Sequence, residues 1–221
     1  MMDIQKVLDF LAALRENNNK TWMEAHKADY QGARNTFIDI ADFLIKGMIP
    51  LDKNIADLEP KRCIFRINRD IRFSKDKSPY KINMGAYLTP GGRNSGYAGY
   101  YLHLEPQNRS FVAGGIYQPS TEALKKIRQE IDYNGDDLHT IVSAPHFSTL
   151  FGGLQGEKLK KPPQGYDAEN PQIELLKMKS FLAIHPMQDN VATQQDFRTQ
   201  VLTLFKALIP LNQFLNTAIG A

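Results

Sequence analysis

The chain has 221 residues, 42% of them hydrophobic and 23% charged, with a formal net charge of +3 at pH 7. That composition excludes a disordered or fibrous polymer, and the length suffices for a substantial core. A single cysteine, Cys63, excludes an intrachain disulfide.

No run approaches the roughly 20 apolar residues of a membrane-spanning helix, so no membrane partner is expected. The opening residues Met1 to Lys6 lack the basic-then-apolar pattern of a secretory leader. A cytoplasmic location is expected on these grounds.

The elements follow in chain order. Residues 3–16 read as an amphipathic helix, with Ile4, Val7, Leu8, Leu11 and Leu14 at helical spacing and Asp3 as its cap. Asn17, Asn18 and Asn19 end it. Thr21, with Glu24 three residues on, reads as the capping box of a second helical region. That region runs to about Ile49, before Pro50, with a bend expected at Gly32.

From Arg62 the pattern alternates, with Cys63, Phe65 and Ile67 on one side, and predicts a strand. A loop stiffened by Pro79 follows. Further strands are predicted over residues 82–89, 97–105 and 110–117, joined by short turns in an antiparallel meander. Within 97–105, Tyr101, His103 and Glu105 share one face, and Tyr100, Leu102 and Leu104 the other. Helix resumes at Pro119–Glu122. Residues 143–172 are loop-rich. A last helix from about Thr193 is interrupted at Pro210. The expected fold is therefore α+β, one domain over residues 1–221, its central antiparallel sheet flanked by N-terminal and C-terminal helices.

The run from Phe65 to Lys81, FRINRDIRFSKDKSPYK, resembles the signature of domain-of-unknown-function family 2461. Further agreement comes from Asn17-Asn18 before Trp22, from Ala98–Pro106, from Ala113–Tyr117, and from Lys158–Lys160 leading to Pro163 and Gly165-Tyr166. The resemblance runs nearly end to end. Thr36 departs from it, standing where the family's helix is expected to carry proline. The resemblance implies a single α+β domain and brings no activity with it.

Charge supplies the functional signal. Between residues 61 and 81 stand eight cations and two carboxylates, a local net charge of +6, so the remainder of the chain is net −3. Arginine presents planar, permanently charged donors suited to phosphate and carboxylate oxygens. Arg66, Arg69, Arg72, Lys77 and Lys81, with Asp70 and Tyr80 among them and Tyr101 nearby, are the candidate ligand-binding residues. His103 and Glu105 form a candidate proton-transfer pair. The blander readings are a solvated salt-bridge network for the basic run and the polar face of a half-exposed sheet for the strand.

A metal site is not expected, because His103 and Glu105 supply two ligands where structural zinc takes about four. The glycine-rich turn 91–96 lacks the strand–turn–helix setting of a nucleotide loop. Cys63 reads as core. A small anionic ligand is the expected partner. Nucleic acid is the alternative, since Phe65, Phe73, Tyr80 and Tyr87 could stack bases beside the cations. A third reading is a structural module in which Asp70 and Asp76 hold the arginines. The sequence assigns no cofactor, reaction or oligomeric state.

Overall fold

The computed structural model describes residues 4–220. Asp3, the expected first cap, lies outside them. Helix α1 (Ile4–Glu16) buries Ile4, Val7, Leu8, Leu11 and Leu14, the stripe its spacing predicts. Helix α2 (Lys20–Ala25) is capped by Asn19, whose side chain accepts from the Trp22 N–H at 2.9 Å. Thr21 therefore lies inside the helix and is not its cap. Asparagine binds the free amides of the first turn at least as well as threonine, and Asn19 stands one position ahead of the helix. Helix α3 (Lys27–Met48) runs unbroken through Gly32.

The segment after it departs from the expected strand. Pro60 opens a four-residue helix, α4 (Pro60–Cys63), a position where its missing N–H costs nothing. Beyond it only Ile64 bridges to the sheet, opposite Ala86, and the Phe65 N–H donates to the Gly85 carbonyl at 2.9 Å. Cys63 and Ile64 are both buried, while Phe65 stands 37% exposed on the other side. Cys63 is core, as expected, and burial pushes its thiol up to about 11.

The meander follows as β1 (Met84–Leu88), β2 (Gly99–Leu104) and β3 (Ser110–Ile116), all antiparallel. Helices α5 (Thr121–Ser143), α6 (Pro145–Phe151) and α7 (Ile173–Leu176) come next. A fourth strand that the sequence did not announce, β4 (Phe181–Met187), then pairs antiparallel with β3 to give the order β1-β2-β3-β4. Its Pro186 sits on an outer strand, where a missing donor is tolerated. Helices α8 (Asp189–Ala192), α9 (Phe197–Ala207) and α10 (Ile209–Ile219) close the chain, with Pro210 in the first turn of α10. The fold is α+β, with helical segments before and after the sheet.

One face of the sheet meets the helices. Tyr100 packs on Phe205 of α9 with ring centroids 5.3 Å apart, and Leu208 fills the space above Gly114. Two amides of α10 bind the sheet backbone directly. Asn212 Oδ1 accepts from the Gly115 N–H at 2.8 Å. Asn216 accepts from the Ala98 N–H at 2.8 Å and donates to its carbonyl at 3.1 Å. They stand four residues apart, on one helix face.

Buried main-chain groups without partners are expensive, so these amides fix how α10 seats on the sheet. Asn216→Ala should cost about 1–3 kcal/mol in urea unfolding with an unchanged m-value. Gln213→Ala, on the exposed side of α10, should stay within about 0.5 kcal/mol.

Candidate functional site

Residues 67–81 form an irregular hairpin. The Arg69 N–H donates to the Pro79 carbonyl at 2.9 Å and the Lys81 N–H to the Ile67 carbonyl at 2.8 Å. Asn18 clamps the returning arm from outside, its side chain accepting from the Tyr80 N–H at 3.1 Å and donating to the Tyr80 carbonyl at 2.9 Å.

Two of the hairpin's arginines are paired within it. Arg72 makes a two-pronged contact with Asp70, at 3.0 and 2.7 Å. Arg69 pairs with Asp76 and reaches the Ser78 carbonyl at 3.2 Å. Asp76 also accepts from the Ser78 N–H and hydroxyl, at 2.9 and 2.6 Å. The Ser78 bonds, and then Arg69, hold its carboxyl down at about 2. Lys77 Nζ donates to the Ile71 carbonyl at 3.0 Å.

Lys81 is different. It is half-buried, it sits with Nζ 5.4 Å from the centre of the Phe65 ring, and among the described residues it has no carboxylate partner. Arg93, from the glycine turn 91–96, lies over the same ring at 4.9 Å. Its Nε donates to the Arg62 carbonyl at 2.5 Å, and it too lacks an acidic partner among the described residues. Desolvation, and then the nearby Arg66 and Arg93, lower the pKa of Lys81. Arg66 itself is exposed.

These two cations stand on the wall of a cavity of about 590 Å³ over the sheet face opposite the helices. Alternation along the strands builds its floor. Tyr87, Tyr101, Ala113 and Ile184 align across the four strands, and Gly99, Gly115 and Leu182 form the next row. Gly115 has φ +109°, and a Cβ there would collide with the Phe181 carbonyl oxygen, so this position takes no side chain. Phe65, Tyr97, Phe111 and Tyr117 complete an aromatic wall.

Tyr101, His103 and Glu105 share a face as expected, and they are joined. Tyr101 Oη is 3.1 Å from His103 Nδ1, and His103 Nε2 is 3.0 Å from a Glu105 oxygen. A carboxylate only accepts, so His103 donates from Nε2 and its Nδ1 accepts the Tyr101 proton. His103 also stacks on Phe111, with centroids 4.5 Å apart. Tyr101 needs a glycine at position 85, which pairs with His103 on the neighbouring strand, since a Cβ there would strike the Tyr101 hydroxyl.

Burial outweighs the favourable influence of Glu105 and lowers the His103 pKa, while desolvation pushes Tyr101 up to about 12. The face is therefore not a solvated polar surface. His103 is 9% exposed, and it does not line the cavity.

Tyr101 and Lys81 are thus the expected site residues that reach the cavity. His103 and Glu105 stand behind Tyr101. Arg69, Asp70, Arg72 and Lys77 lie in the self-paired hairpin, and Tyr80 packs against the core. Sequence reasoning read Arg93 only as part of a turn. The usable signal was a cation set between glycines immediately before the strand that carries Tyr101. Among the described residues no group of three or more His, Cys, Asp or Glu side chains could hold a metal ion, and no helix is long and apolar enough to cross a membrane.

An antiparallel meander gives one face to helices and the other to an aromatic cavity edged with cations: the protein is of α+β class with an open sheet face. A family profile described as "Conserved hypothetical protein (DUF2461)" matches residues 6–214, and the chain belongs to that family. No curated protein and no solved structure matches it.

The buried histidine has a consequence for stability. A His with a lowered folded pKa contributes stability that is present above its unfolded value of about 6.5 and lost as pH falls through the folded value. Between pH 7.5 and 5 the urea midpoint should therefore drop, and His103→Gln should lose less over that interval than the native chain. An equal loss in both would show that His103 has no part in it.

Proposed function

We propose that the protein binds a small organic anion in the cavity over its open sheet face, with the charged group on Lys81 and Arg93. The observation that carries this reading is the pairing of two cations over one ring with no carboxylate among the described residues to neutralise them. Cations this close repel, and Lys81 is partly desolvated as well. An anion between them removes both penalties at once. The cavity's size suits a small organic molecule, and a bare inorganic ion would leave most of it empty.

The basic hairpin serves this site indirectly. Arg69, Arg72, Asp70 and Asp76 stiffen it, and the paired arms present Lys81. Arg66 adds long-range attraction. Tyr101 contacts the ligand, and His103 and Glu105 set the direction of its hydroxyl. A reducing cytoplasmic setting suits a chain whose single cysteine is buried.

A thermal-shift panel of orthophosphate, adenosine monophosphate, glucose 6-phosphate, benzoate and a short single-stranded oligonucleotide tests this, run at low and moderate salt. A ligand at 100 times its Kd adds about 2.7 kcal/mol of stability. A saturable shift from a small anion is expected, surviving moderate salt and absent in Lys81→Met/Arg93→Met. Affinity should fall as pH rises through the lowered pKa of Lys81, because the neutral amine attracts no anion. Shifts from the oligonucleotide alone, vanishing with salt, would instead favour nucleic-acid binding. An undiminished shift in the double variant would remove these two residues from the site.

A further inference from the structure

We infer that the ligand of this cavity is an aromatic acid, a planar ring system bearing a carboxylate or comparable anionic group. This rests on the anion-binding reading and adds the chemistry of the ligand's uncharged part. A sugar phosphate or other polyol lying on the sheet would need free donors and acceptors from the floor beneath it. The phenol of Tyr87 already donates to the carbonyls of Tyr97 and Gly115, at 2.8 and 3.2 Å. The phenol proton of Tyr101 goes to His103. The Ser120 oxygen already accepts from the Ala123 N–H at 3.1 Å, capping α5. The two tyrosines that rise from the sheet floor thus offer rings, with their protons directed elsewhere, while the polar side chains of Asn83, Tyr97, Tyr117 and Gln118 also line the cavity.

The rings are also set for other rings. Phe65 meets Tyr101 edge-on, with centroids 6.1 Å apart and planes at 76°. Tyr87 meets Tyr101 at 66°, with centroids 6.5 Å apart. Tyr101 and Phe111 are tilted by 51° at 5.7 Å. Rings inclined to one another in this way suit further offset or edge-to-face contact with a flat aromatic ligand. The floor beside Tyr101 is the Gly99–Gly115 pair and Ala113, which raise nothing above the backbone larger than a methyl group.

The cations sit at one end only, over Phe65. A rigid body with its charge at one end satisfies both parts, and a ring bearing its acid directly also keeps the anion within reach of the Phe65 face.

Titration calorimetry with 2-naphthoate and its saturated counterpart, decahydro-2-naphthoate, tests the inference at equal charge and similar shape. The aromatic acid should bind about tenfold more tightly, the gain expected of one to three ring contacts. Phe65→Leu, at a half-exposed position, should shrink that ratio while keeping the melting temperature. Phe111→Leu provides a second removal of a ring. Lys81→Met/Arg93→Met should weaken both acids alike and leave the ratio intact. Equal or tighter binding of the saturated acid would overturn the aromatic inference and leave the anion reading standing. Binding of both acids unchanged by the double variant, or of neither by the native chain, would overturn the anion reading and this inference with it.

Discussion

The two-residue period of β2 governs nearly everything else in the molecule. Tyr100, Leu102 and Leu104 turn to the helices and are fully or almost fully buried. Tyr101 and His103 turn the other way, and Glu105 follows them just past the strand. A slip of one residue would exchange these sets, placing an acid and a histidine in the core and an apolar stripe in the cavity. The register is pinned on the helical side by the α10 amides that bind Ala98 and Gly115. It is pinned on the other side by Gly85, where only a missing side chain admits the Tyr101 hydroxyl. Seating of the helix and shape of the cavity are thus consequences of one alignment.

Electrostatics divides the basic segment into two parts with different work. Arg69 and Arg72 each have a carboxylate of their own within the hairpin, so their charge is largely cancelled at short range. Exposed pairs of this kind contribute little stability singly. Their geometric effect is larger, because Asp76 gathers Arg69 and Ser78 and so fixes the approach to Pro79 and Tyr80. Lys81 follows at once. The pairing of Arg69 and Arg72 in the hairpin and the charge of Lys81 and Arg93, which lack a carboxylate partner among the described residues, are complementary: each pairing removes a repulsion that would work against holding Lys81 in place.

Much of the fold was legible in the sequence, and the exceptions have physical causes. The stripe of α1, the alternation in β2 and the break at Pro210 are strong periodic or conformational signals, and each appears where expected, whereas the single helical region expected from Thr21 to about Ile49 is divided at His26 into α2 and α3. The strand predicted from Arg62 does not form. Apolar residues at alternate positions mimic strand periodicity, but Pro60 favours a helical turn and Ile64, not Phe65, enters the core. Strand β4 escaped notice because it lies among short helices and contains Pro186. The same local reading marked the cationic run without showing which charges have partners. Asp70 and Asp76 are adjacent in sequence to several cations, and only the folded hairpin decides their pairing. Arg93 reaches Phe65 from 28 positions away in the chain, a relation no local pattern contains.

The direction of one proton sharpens the character of the cavity. Glu105 is a fixed acceptor, so His103 must donate to it from Nε2, and the other ring nitrogen is left to receive the proton of Tyr101. The lowered pKa of His103 keeps the ring neutral near pH 7, so this direction holds across the physiological range. Tyr101 then shows the cavity its ring and, at most, an acceptor oxygen. Tyr87 is committed in a similar way to main-chain carbonyls. The two phenols of the sheet floor are thus turned away from a ligand, while Tyr97 and Tyr117 also line the wall. Under the proposed reading, the cations over Phe65 would reward a ligand's charge, and the rings beside them a flat apolar body.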